Sequence, residues 1–367
     1  MKNFIVIIFI VSTNLIYSQG FNEFFNAKAK QDSSLLSLSV ENTNFVFNSE
    51  YFNNFNVGHT LLGYFIKPEV TYKPFEKVNF SGGVFIQSYF GEKSLTKFRP
   101  VFSINYKASK HTNIIFGDIS GTINHNLPEP VFNTELYLTE NIENGLQILY
   151  KGTRLKTDFW VNWEQFIFPD SSFPEIFTAG LSNVLRLTRI ESKHDFSLKF
   201  SGIATHTGGQ IEHRGVPVQT LANTVSGFDY NINFQTLFLK KIHLFSYYLT
   251  SFDASPEKNL PYLYGFGVLS GIGFSNSVLD IELQHWYGDY YFSKKGNPVF
   301  QSVSQMYNGF KENQRAMFLT KTFFSKKINK FFKIGVGADT YYDLYNLSLD
   351  FTFGFYIKTN FDFLLKK

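Results

Sequence analysis

From Leu155 to Phe166 the chain alternates strictly between two kinds of side chain. Leu155, Thr157, Phe159, Val161 and Trp163 fall on one side, and Lys156, Asp158, Trp160, Asn162 and Glu164 on the other. Successive side chains of an extended backbone point to opposite faces, so such a segment is a strand with an apolar and a polar face. The pattern returns over Phe228–Phe238, Leu279–Tyr287 and Leu347–Lys358; in the last, Leu347, Leu349, Phe351, Phe353, Phe355 and Ile357 oppose Ser348, Asp350, Thr352, Gly354 and Lys358. A soluble sandwich also alternates, but with turns about every 8–12 residues. Here the segments run about 10–15 residues, long enough to cross a bilayer when tilted.

The connections alternate as well. Short ones such as Pro74–Lys77, Gly152–Thr153 and Lys240–Lys241 are interleaved with long ones such as Ser49–Gly58, Thr122–Glu143 and Ser293–Glu312. That rhythm fits periplasmic turns and outer loops of a transmembrane antiparallel up-and-down β-barrel. The expected fold class is therefore all-β, with about sixteen strands and 14 or 18 as the neighbouring counts. The stretch 113–151 is the least clearly patterned, and Pro68 and Pro100 imply bulges or early strand ends, because proline lacks the ladder donor.

The first residues predict export. Met1-Lys2-Asn3 precedes an apolar run from Phe4 to Val11, continued less purely to Ile16, with small residues near Ser18 and Gly20. This reads as a signal peptide cleaved after Ser18, since the run is too short to span a membrane as a helix. The expected organisation is a signal peptide at 1–18, a short periplasmic N-terminal arm at 19–33 and a transmembrane barrel at 34–367. The expected location is the bacterial outer membrane. No later segment has the apolar length of a membrane helix, and a closed barrel is then the structure that satisfies the backbone inside lipid.

Composition narrows the function classes. The absence of cysteine excludes a lipoprotein anchor, a disulfide framework and thiol chemistry. The 45 Phe and 21 Tyr against three Met suit strands and the aromatic girdles of a barrel. A net charge of +4 is small for this length and suggests no nucleic-acid partner.

The polar faces should line the lumen. Arg99, Lys107, Lys156, Asp158, Glu164, Lys199, Asp229, Asp280, Glu282, Asp339 and Asp350 are the lumen-facing candidates. A water-filled channel and a lumen plugged by loops are both compatible with them. Segment Thr122–Glu143 is expected as an external surface loop, with an inward-folded constriction as its alternative. His206, Glu212 and His213 are the candidate metal ligands, although their spacing matches no established zinc motif and a solvated turn is the plainer reading. No cofactor is called for. There is no G-x-S-x-G, phosphate loop or H-E-x-x-H; His285 falls on an apolar face, and His194 and His243 sit beside short turns. No catalytic residue is assigned, and the expectation is that the chain is not an enzyme.

The stretches Tyr17-Ser18-Gln19, E-N-T-N-F at Glu41–Phe45, E-Y-F-N at Glu50–Asn53 and N-W-E-Q-F at Asn162–Phe166, in a Phe-, Asn- and Tyr-rich chain, resemble porin-like outer-membrane barrels of Bacteroidota. More distantly the pattern is similar to porins of the alginate-export and capsule-assembly type. The C-terminal run Phe361-Asp362-Phe363-Leu364-Leu365-Lys366-Lys367 departs from the terminal aromatic of many outer-membrane proteins. The expected function is passive passage of small hydrophilic solutes, with sugars or oligosaccharides as the class in view. The alternative is a non-conducting assembly or docking component that binds a partner protein or surface polysaccharide. Expected partners are outer-membrane lipid, the outer-membrane assembly machinery, small hydrophilic solutes and a partner protein or oligomer.

Overall fold

The computed structural model describes residues 20–25, 35–189, 192–209, 217–236 and 238–366. Residues 1–18, where the signal peptide is expected, lie outside them. Sixteen strands follow one another: β1 Leu36–Glu50, β2 His59–Phe75, β3 Val78–Tyr89, β4 Lys97–Lys107, β5 Thr112–Asp118, β6 Asn144–Lys151, β7 Leu155–Gln165 and β8 Ile176–Arg186. The second half adds β9 His194–Thr207, β10 Gln219–Asn233, β11 Lys241–Asp253, β12 Tyr264–Ser275, β13 Leu279–Asp289, β14 Gln314–Lys327, β15 Phe332–Asp343 and β16 Ser348–Lys366. Each pairs antiparallel with its chain neighbours, and β1 pairs with β16, so the sheet is a closed barrel. Closure removes the unpaired edges that an open sheet would expose.

The register turns the alternation of the sequence into two surfaces. Phe159 pairs with Leu181 and Trp160 with Gly180, which puts the first pair on the outer wall and the second in the lumen. Large apolar side chains such as Phe98, Phe102, Phe116, Phe159 and Phe353 stand exposed on the outside. In a barrel of this class that is the lipid-facing band. Pro68 and Pro100 lie within β2 and β4 rather than ending them, and the β2–β3 register has no pair at Lys67 or Pro68.

The lumen is filled. Segment Thr122–Glu143 folds inward, which corrects the external-loop expectation. Its 3-10 turn Thr122–His125 and the short helix Leu136–Thr139, here α2, bury Ile123, Tyr137 and Leu138. The cause lies on the wall: Trp160, Leu249, Trp286, Met317 and Leu319 project inward, and Leu127, Val131 and Phe132 of the segment cover them in one apolar cluster. The connection after β13 also turns in, burying Tyr291, Val299 and Phe300. From the opposite end, the helix Phe21–Phe25, here α1, inserts Phe24 and Phe25 against Phe323, Tyr356 and Tyr137.

Candidate functional site

Where the first hairpin opens, Ser49 near the end of β1 and His59 at the start of β2 are register partners and share the lumen face. The Ser49 hydroxyl lies 3.4 Å from His59 Nδ1, and it also accepts the His59 backbone N–H at 3.1 Å. On the far side of the ring, His59 Nε2 is 3.6 Å from Glu135 Oε2. Glu135 immediately precedes α2, so the inward fold of the long segment delivers it. Tyr51 donates to its other oxygen at 2.9 Å. Burial pushes the Glu135 carboxyl up to about 7, with nearby Glu129 adding to the rise and the Tyr51 hydrogen bond opposing it. Ser49 is nearly buried, whereas the His59 side chain is 39% exposed.

A hydroxyl, an imidazole and a carboxylate in line are the parts of a nucleophile, a base and its orienting group. The contacts are longer than tight hydrogen bonds, as is common in resting sites that close on substrate. The linear sequence gave little sign of this trio. Ser49 and Gly58 bounded an expected loop, but Glu135 reaches the site only because its segment enters the barrel.

The residues expected in the lumen divide among separate places. Lys107, Lys156 and Asp158 line a cavity of about 1120 Å³ at the turn end. Arg99 and Glu164 line one of about 220 Å³ at the loop end, where Glu164 pairs with Lys295 at 2.6 Å. Asp280, Glu282 and Asp339 line a third of about 360 Å³. Asp229 accepts from His243 at 2.8 Å and Tyr247 at 2.5 Å, and the Lys199 ammonium sits 5.1 Å from the centre of the Tyr247 ring. Asp350 holds the first long loop by accepting from the Phe52 N–H and the Asn53 amide, both at 2.6 Å. None of these eleven residues joins Ser49 and His59.

At the third cavity the inward segment is tied to the wall. Glu129 accepts from Lys321, from Asn297 Nδ2 at 2.7 Å and from the Tyr341 hydroxyl at 3.1 Å, and Lys321 also reaches Asp339 at 3.2 Å. His206 contacts the Thr220 hydroxyl at 2.9 Å and stacks on Phe177. Glu212 and His213 lie outside the described residues. Among the described residues no group of three or more His, Cys, Asp or Glu is placed to hold a metal ion.

Solved structures share the fold. OprD of Pseudomonas aeruginosa superposes with a TM-score of 0.53 at 11% identity, over 96% of this chain and 99% of that one. A loop L8 deletion mutant of OmpT from Vibrio cholerae gives 0.53 at 8% identity over 89% and 100%, and OpdL of Pseudomonas aeruginosa 0.51 at 9% over 89% and 99%. OprD and OmpT are outer membrane proteins, and at these identities the likeness is one of fold. No curated protein matches the sequence. The likeness to Bacteroidota porin-like barrels and to alginate-export or capsule-assembly porins rests on the sequence motifs alone.

A family model described as lipid A 3'-O-deacylase-type matches residues 28–367. That description points to an enzyme and corrects the expectation that the chain is not one. The expectation rested on contiguous motifs, and contiguous motifs cannot register groups that strand pairing and an inward loop assemble. With all but the first residues of the sequence matched, the chain belongs to the lipid A 3'-O-deacylase-type family.

Proposed function

We propose that the barrel hydrolyses an acyl ester of lipid A or of a similarly acylated glycolipid at its loop end. The line Ser49–His59–Glu135 is the observation that carries this reading, and the family description supplies the substrate class. Ser49 Oγ attacks the ester carbonyl and its proton passes to His59 Nδ1, with Glu135 facing the opposite nitrogen. The alcohol leaves with that proton, and water, deprotonated by the same imidazole, then releases the acyl group from Ser49.

The test is incubation of the purified full chain in detergent with lipid A, followed by mass spectrometry of released fatty acid. Ser49→Ala and His59→Ala should each slow release by about 100-fold or more. Absence of release by the unaltered chain, or rates in both variants equal to that of the unaltered chain, would overturn the assignment.

Passage of a small hydrophilic solute is the second reading. It is favoured by the polar cavity of about 1120 Å³ at the turn end. The buried loops between this cavity and the loop end would have to shift for a solute to pass. Planar-bilayer conductance tests it, and a barrel that never opens would remove it.

A further inference from the structure

The large turn-end cavity carries a charge arrangement that neither reading uses. Lys77, Lys107, Lys151 and Lys156 line it, all exposed to its interior, and none has an ion-pair partner among the described residues. Lys151 and Lys156 are register partners at the last step of the β6–β7 ladder and share the lumen face. Like charges directly opposite one another across two strands repel. Lys107 is next to Lys77 across the neighbouring turn, where its N–H donates to the Lys77 carbonyl at 2.7 Å.

The carboxylates of the cavity do not balance this group. Glu69 and Asp118 are engaged by Lys67, and Asp158 lies 2.8 Å from His125, which leaves Glu41 and Glu76 for these four lysines and for Lys73, which also lines the cavity. The rest of the lining is rich in amides and hydroxyls. Asn79 and Asn105 are register partners two positions along their strands from Lys77 and Lys107.

We propose that this vestibule binds a sugar bearing an anionic group, either a phosphate or a carboxylate. The anion lies between Lys151 and Lys156 and relieves their repulsion, and sugar hydroxyls meet the amides and hydroxyls of the lining. The cavity is as large as ordinary small-molecule sites, which run to roughly 1,000 Å³. The proposal concerns the opposite end of the barrel from Ser49 and stands whether or not ester hydrolysis is found.

Calorimetric titration of the full chain in detergent with glucose 6-phosphate, glucuronate, glucose and inorganic phosphate tests it. At least one of the two anionic sugars should bind about tenfold or more tightly than glucose and inorganic phosphate, and added salt should weaken that binding. Preference between phosphate and carboxylate identifies the anion. The double substitution Lys151→Gln with Lys156→Gln should weaken the anionic sugar about tenfold while leaving the folded, heat-modifiable form on gels. If that variant does not assemble, Lys107→Gln serves in its place. Equal affinity for glucose, equal affinity for inorganic phosphate, no binding of either anionic sugar, or full affinity in the variant would overturn the proposal.

Discussion

The imidazole of His125 lies flat on the indole of Trp160, with ring centroids 3.6 Å apart and planes 8° from parallel. Its two nitrogens face carboxylates, Asp158 at 2.8 Å and Glu143 at 3.0 Å. A cation on an aromatic face, closed in by two anions, fixes the inward segment to the wall at β7.

Stability should therefore depend on pH above neutrality. Burial alone would lower the His125 pKa, but Glu143 and Asp158 outweigh it and hold it at about 9, against an ordinary 6.5. Because the folded value is the higher one, the stabilisation is complete below about 6.5 and is lost as pH rises through about 9. Its size is on the order of 3 kcal/mol. Thermal unfolding followed across that window should show a falling midpoint that His125→Gln flattens. Parallel losses in both proteins would sink the assignment.

Lys321 joins Glu129 of the inward segment to Asp339 of β15. Lys321 and Asp339 are partly exposed and Glu129 is buried, so removing the lysine costs at most about 3 kcal/mol, chiefly by leaving Glu129 without its cation. Lys321→Met should thus destabilise the barrel and loosen the segment, seen as more frequent openings in a planar bilayer. Combining it with Glu129→Gln should recover part of the loss. A double variant no more stable than Lys321→Met would contradict this.

The two large lumen indoles are seated against glycines. A Cβ at Gly267 would lie 2.1 Å from the Trp286 ring, which is fully buried and has no room to yield. Gly267→Ala should cost about 1–3 kcal/mol by overpacking. Gly82, with nothing within 4 Å of an added Cβ, provides the comparison, and Gly82→Ala should leave the unfolding midpoint nearly unchanged. Equal midpoints for the two variants would refute the packing argument.

Glu135 sets the expected pH profile of ester hydrolysis. Its carboxyl, pushed up by burial to about 7, must be ionised to orient and stabilise a protonated His59. Activity should rise with pH through about 7, and Glu135→Gln should be slower with an altered profile. Identical profiles would remove Glu135 from the mechanism.

What could be read in the linear chain follows from where each part meets its environment. A barrel wall touches lipid on one side along its length, so Phe159, Phe351 and Phe353 had to alternate with Asp158, Asp350 and Thr352, and the period of two was visible without coordinates. The plug imposes no period. Ile123, Val131 and Phe132 are scattered among Asn, Pro and Glu, so the segment reads as a surface loop until its partners on the wall are known. One hint lay on the polar face itself, where Trp160 sits between Asp158 and Asn162 and needs an apolar cover that solvent does not give. Ser49, His59 and Glu135 were hidden for the same reason: two meet by strand register and the third by the path of the plug.

The clasp of α1 on the far end of the chain has a bearing on how the sheet closes. Phe25 packs on Tyr356 at 5.0 Å between ring centres, and Lys358 donates to the Phe25 carbonyl at 2.8 Å, so α1 rests on the strand that β1 must meet to close the sheet. Without that contact, joining β1 to β16 means bringing together nearly the whole length of the polypeptide. With it, only residues 26–35 separate the anchored point from the start of β1. The difference in loop entropy is about 3 kcal/mol. Phe25 and Lys358 thereby convert the joining of β1 to β16 from a global search to a local one, and they bear on the rate of closure as well as on the finished barrel.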